Sequence, residues 1–169
     1  MNSQNTNLSR YTLFPIKDQD IWKMSKKALA CFCTVEEIDF SKDESDWTLL
    51  NDDERYFIEN VLAFFAGADG IVLENLTDNF GTEVSLLEAK YFYAVQEMME
   101  AIHSETYSTM IDIYVKDTVR KSSLFQAMET HSAIKKKGEW ALSWMNKDTP
   151  YTQRLVAFAC VEGIFFSGS

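Results

Sequence analysis

The sequence predicts an all-α protein built from a few long, packed helices. Twelve Phe, seven Tyr, four Trp and seven Met stand against only two Pro and six Gly in 169 residues, a balance that suits buried helices and withholds the turns a β fold needs. Polar clusters with capping character punctuate apolar stretches that keep helical spacing. The length fits one domain with a substantial core.

Taken in order, residues 1–9 are mostly Asn, Ser, Gln and Thr with little to bury, and a disordered tail is expected there. The ordered domain is expected over 10–169, opening with an extended apolar lead-in from Arg10 to Ile16 that ends near Pro15. Asp18 suits the cap of a first helix reaching about Cys33, with Ile21, Met24 and Ala28 on one face. The polar run Glu36 to Asp46 reads as a loop. Asn51-Asp-Asp-Glu54 is an N-terminal signature for a second helix that Asn79-Phe-Gly81 closes. Thr82 opens a third, which would run roughly 50 Å to Val115 before a break at Lys116-Asp-Thr118. Segments 119–130 and 133–145 follow, Asp148-Thr-Pro150 punctuates them, and a last helix begins near Tyr151.

Composition narrows the function classes. A net charge of −10, from 26 acidic and 16 basic residues, repels phosphate backbones and anionic lipid, so neither nucleic acid nor membrane is an expected partner. Cys31, Cys33 and Cys160 form an odd set without zinc spacing or a preceding signal segment, and a reducing cytoplasmic compartment is expected. The apolar run Val61 to Leu73 is broken by Asp69 and is short for a bilayer.

Chemistry concentrates in Glu100-Ala-Ile-His103 with Tyr107 four residues on. Positions i, i+3 and i+7 share one helical face, so a carboxylate and an imidazole can bind one metal beside a phenol. Such an E-x-x-H pair is half of a dinuclear carboxylate site, which needs carboxylates from two further helices. Asp69 and Glu162 lie in otherwise apolar helical segments, where a charge must be paired, hydrogen-bonded or metal-bound. Taken singly, each could face water or pair with Arg or Lys, and Tyr107 could be a core ring. Together with Glu100 and His103 they make an oxygen-rich donor set with one imidazole, which favours iron or manganese. The residue three before His131 is Met128, so His131 makes no second motif and reads as an ordinary polar position. Phe57, Phe64, Phe65, Tyr91, Phe92 and Tyr93 read as core.

These residues resemble a known family. Phe14-Pro-Ile with Asp20-Ile-Trp22, Glu36-Glu-Ile-Asp-Phe-Ser-Lys-Asp43, Leu62-Ala-Phe-Phe with Asp69-Gly-Ile, Glu100 to Tyr107, Lys135-Lys-Lys with Trp140-Ala-Leu, and Val161 to Ser169 occur in family order. The chain is similar, from Arg10 to Ser169, to the small radical-generating subunit of class I ribonucleotide reductase in its eukaryotic and viral form. The resemblance implies a ferritin-like helical bundle holding two iron ions, with manganese as the alternative. It implies Asp69, Glu100 and His103 as ligands of the first metal, Glu162 as a ligand of the second, Tyr107 as the stable radical and Phe166 as a wall of its dry pocket. A homodimer and a separate large catalytic subunit are the implied partners.

Two departures shape the expectation. Cys33 stands where the family places a Trp used for radical transfer. The chain stops at Ser169, before the family's second E-x-x-H helix and C-terminal tail, leaving four ligands of six and a bundle expected to be incomplete there. Another ferritin-like metal oxidase, or a truncated paralogue that binds a full-length subunit, are the competing readings.

Overall fold

In a computed structural model that describes residues 10–167, the chain is a helical bundle, with no strand among those residues. The expected tail, residues 1–9, lies outside the described part. Helix α1 (Gln19–Ala30) starts where the sequence puts it, with Asp18 accepting from the amides of Asp20 and Ile21, but stops short of Cys33 because Cys31 already closes it. The polar run beyond is more ordered than a loop. It folds into two short 3-10 turns and a helix α2 (Asp43–Leu49).

Helix α3 (Asp52–Asn75) opens on the anticipated signature, Asn51 and Glu54 capping each other's amides. Its end differs from expectation. The helix widens into a π turn at Leu76–Phe80 and runs on as α4 (Gly81–Glu83). Thr82 does not open the next helix, because its hydroxyl donates back to the carbonyls of Asp78 and Asn79. Gly81 does not end one either; a Cβ there would sit 2.8 Å from Glu97 Oε1 and 3.0 Å from the Leu76 carbonyl, so it permits close packing. Helix α5 (Leu87–Tyr114) therefore starts later than predicted, after the Val84–Leu86 turn.

Asp117 caps α6 (Thr118–Phe125) through the Arg120 amide, which bears out the predicted break, and Gln126 splits off a short α7 (Ala127–Thr130). Helix α8 (Ser132–Ser143) follows, and α9 (Tyr151–Cys160) runs into a second π turn at Val161–Phe165. His131, read as an ordinary polar position, works locally, its Nδ1 accepting from the Ile134 amide at the start of α8.

The centre is an α3–α5 hairpin, with α1 against α5 and α6, α7 and α8 against α3. Two apolar clusters flank it. Leu62, Phe64, Ala68, Ile111, Leu124 and Ile134 form one, and Val72, Leu76, Phe80, Tyr93, Phe158 and Val161 the other. By length and composition the 52–83 run passes for a membrane span, with mean hydropathy 1.5 in its most apolar window. Here it is the central helix, and it carries Asp69 and Asn75 on its buried side. Asp69 falls between the two clusters.

Met128 lies between α3 and α8. A Cβ on Gly67 would meet its Cγ at 2.4 Å, and one on Gly138 its terminal Cε at 2.5 Å. Overpacking of about 1–3 kcal/mol outweighs the roughly 1 kcal/mol that Ala gains over Gly in a helix. Gly67→Ala should therefore lower stability in urea denaturation, and more than Gly138→Ala, which meets only the mobile end of Met128. Adding Met128→Ala should relieve the Gly67→Ala penalty; an unchanged penalty would place the strain elsewhere.

Glu88, fully buried, holds the lead-in onto α5. One of its oxygens accepts the Lys17 amide at 2.7 Å and Arg10 Nη1 at 2.9 Å, while Arg10 also reaches the Pro15 carbonyl. The Lys17 amide, with Arg10 adding to it, pulls the Glu88 carboxyl from 4.5 down to about 2. A depressed carboxyl stabilises the fold above its unfolded value, and that contribution fades as pH falls from 4.5 toward about 2. Protection factors in residues 10–17, with intrinsic exchange at each pH divided out, should fall over that window in the wild type, and should already be low at neutral pH in Glu88→Ala. Slow exchange in the variant would show that other contacts hold the segment.

Candidate metal centre

Across the α3–α5 hairpin, Asp69 faces Glu100 and His103, and one ligand atom from each lies within 4.8 Å of the others. The i, i+3 spacing on α5 brings His103 Nδ1 to 3.2 Å from Glu100 Oε2. Asp69 is 1% exposed and Glu100 6%, while His103 is half-buried. Three of the four proposed ligands thus converge as a set. Glu162, on the π turn after α9, stands beside them; its charge acts on Asp69 and His103, but it is not one of the mutually close three.

The electrostatics of this group would suit a bound cation. Burial, reinforced by the Glu100 charge, pushes the carboxyls of Asp69 and Glu162 up to about 7 each. The hydrogen bond to Glu100 raises His103. Asp69 Oδ2 and Glu162 Oε1 are both buried without a hydrogen-bond partner. Leaving a buried acceptor unpaired costs about 1–3 kcal/mol, so neither oxygen is explained by the fold. Divalent ions at this centre would satisfy both, and three carboxylates with one imidazole suit iron or manganese.

Tyr107 sits one turn beyond His103, half-buried, its hydroxyl pushed up first by burial and then by the Asp69 and Glu100 charges. It is therefore held as the neutral phenol. The ring lying on it is Phe65, stacked with centroids 4.9 Å and planes 16° apart. Phe166 meets Phe65 edge-on at 5.4 Å and Phe64 at 5.9 Å, so it reaches Tyr107 through Phe65. Sequence reasoning took Phe65 for core only. The available signal was its position four residues before Asp69, on the same face of α3.

Residues 10–169 match the family model described as the small chain of ribonucleotide reductase. The chain belongs to that family. Ribonucleoside-diphosphate reductase small chains of monkeypox virus and of vaccinia virus (strain Ankara) are each 56% identical to it over 163 residues, covering 96% of this chain and 51% of theirs. That of swinepox virus is 55% identical over 161 residues, 95% of this chain and 59% of its own. This small chain thus spans about half the length of the viral relatives it matches. Among solved structures, the ribonucleotide reductase Rnr4 homodimer of Saccharomyces cerevisiae superposes with a TM-score of 0.83 at 40% identity, over 96% of this chain and 52% of that one. The dimanganese(II) protein NrdF of Streptococcus sanguinis gives the same TM-score at 19% identity, over 93% and 55%, and speaks for the fold alone. The small chain therefore has the ferritin-like fold expected of it.

Proposed function

We propose that this chain carries the metal and tyrosine machinery of a ribonucleoside-diphosphate reductase small subunit. The observation that supports it best is that, of the three buried carboxylate oxygens without a hydrogen-bond partner among the described residues, two, Asp69 Oδ2 and Glu162 Oε1, lie beside Glu100 and His103, the third being Glu88 Oε2. In this reading Asp69, Glu100 and His103 hold one ion, and Glu162 contributes to a second. A bound metal pair supplies, with oxygen, the one-electron oxidising chemistry that no protein side chain supplies alone. Iron is the metal proposed, and manganese satisfies the same donors.

The protein's own part is placement and shielding. Phe65 covers one face of the Tyr107 ring, with Phe166 behind it, and this partial shielding lets Tyr107, once it has given up one electron and its hydroxyl proton, persist as a radical. The oxidising equivalent serves a separate large subunit, where a ribonucleoside diphosphate becomes the deoxyribonucleotide needed for DNA replication. A homodimer in the cytoplasm is the proposed setting. The yeast relative's homodimeric structure supports the first, and the three unpaired cysteines suit a reducing compartment.

One observation favours a second reading, a non-enzymatic paralogue. Cys33 is an exposed thiol where the resemblance expects a Trp. Metal content and radical yield separate the two. Tested in a protein completed with the relatives' remaining helices, the wild type should show a tyrosyl signal by electron paramagnetic resonance after ferrous iron and oxygen. Tyr107→Phe, which removes only the hydroxyl, should bind as much metal and show none. An unchanged signal would assign the radical to another residue, and neither metal nor signal in the wild type would favour the paralogue.

A further inference from the structure

Two turns beyond Tyr107 on α5, Tyr114 makes a contact that neither the metal centre nor the core requires. Its ring stacks on Trp47 of α2, centroids 5.0 Å and planes 18° apart, and its hydroxyl donates to Asp43 Oδ2 at 2.6 Å. Among the described residues it is the tyrosine whose hydroxyl donates to a carboxylate; the Tyr93 hydroxyl, by contrast, meets that of Tyr151. Tyr107, Met110 and Tyr114 all pack against the same apolar cluster. Seven residues of helix separate the two tyrosines by about 10 Å along the axis. Tyr114 and Trp47 are half-buried, and Asp43 is open to solvent.

Oxidation of a phenol makes its hydroxyl strongly acidic, so the electron leaves readily only where a base can take the proton at once. Asp43 is that base, already at hydrogen-bond distance, and the stacked indole helps to spread the charge that develops. The more exposed tyrosines, Tyr11 at 90% and Tyr56 at 55%, have no such acceptor among the described residues.

We infer that Tyr114, with Trp47 and Asp43, is a proton-coupled electron-donor site through which oxidising equivalents pass between Tyr107 and the protein surface. Tyr114 gives one electron to the Tyr107 phenoxyl and its hydroxyl proton to Asp43. Tyr107 takes one proton from solvent, and Asp43 returns one to solvent. The net result is a phenol at Tyr107 and a phenoxyl at Tyr114, where one-electron reductants of the thiol or ascorbate class can reach it. The oxidant at Tyr107 rests on the function proposed above; the donor character of Tyr114 does not.

The test therefore uses the metal-free chain, oxidised by photogenerated tris(bipyridine)ruthenium(III) in the presence of a nitroso spin trap, with labelled positions mapped by peptide mass spectrometry. Tyr114 should carry several-fold more label than Tyr11 or Tyr56, with a slower reaction in deuterated solvent. Asp43→Asn, a surface change checked for retained helicity by circular dichroism, should shift the label to Tyr11 and Tyr56. Label distributed by exposure, Tyr11 first, or a pattern unmoved by Asp43→Asn would overturn the inference. Failure of iron-treated protein to form a radical at Tyr107 would count against the proposed function and leave this mapping to stand or fall by itself.

Discussion

Ferrous or manganous ion at a thousand times its dissociation constant should stabilise the wild-type chain by about 4 kcal/mol, and leave Asp69→Asn unmoved. For a chain of this size that is a rise in melting temperature of roughly 8–16 °C. The expectation follows from two acidic groups and one imidazole gathered at one point, with Glu162 beside them and Asp69 Oδ2 and Glu162 Oε1 lacking partners. The same geometry sets the sign in the absence of metal. Removing the charge at Asp69 relieves its repulsion with Glu100 and Glu162, so metal-free Asp69→Asn should be more stable than wild type by about 1–2 kcal/mol. Calorimetry with and without metal reads both effects. A variant stabilised by metal as strongly as the wild type would remove Asp69 from the site, and a metal-free variant less stable than wild type would mean that Asp69 has a structural partner.

Arg154→Met should destabilise the chain by about 1.5–3 kcal/mol, the worth of its charged hydrogen bonds, because the carboxylate left behind, Glu83, is exposed to water. Arg154 on α9 is 3% exposed, and its guanidinium grips both oxygens of Glu83 on α4 while Nε donates to the Thr149 carbonyl at 2.9 Å. The pair sustains itself electrostatically: the Glu83 hydrogen bond raises Arg154, and Arg154 lowers Glu83. Methionine keeps an apolar side chain of similar reach but removes the guanidinium, whose Cζ lies 5.9 Å from the Phe80 ring and 5.8 Å from the Tyr151 ring, so the loss reports the ion pair and these ring contacts together. Without it, the link from α9 to α4 is gone and Glu83 loses its partner. A double-mutant cycle with Glu83→Gln, followed by urea denaturation, should show strong coupling. Additive losses would show that the two residues act through other neighbours.

Much of the helical plan was legible because its signals are local. Asp18, Asn51 and Asp117 cap the amides just downstream of them, as their residue types predict, and the E-x-x-H spacing on α5 needs only the helical repeat to put Glu100, His103 and Tyr107 on one face. Charge inside apolar sequence also marked Asp69 and Glu162 before any packing was known. Gly81 and Thr82 misled because their tertiary and backward contacts, to Glu97 and to the carbonyls of Asp78 and Asn79, override the punctuation their residue types suggest. The tertiary structure alone decided that Asp69 meets Glu100 and His103 while Glu162 stands beside them, that Phe65 lies on Tyr107, and that Tyr114 finds Asp43 and Trp47. The physical reason is range: caps and helix faces are set by neighbours a few residues away, whereas convergence of side chains from α2, α3, α5 and the turn after α9 depends on how the apolar clusters pack. Sequence spacing determines which way a residue faces on its own helix, and only packing determines what it meets there.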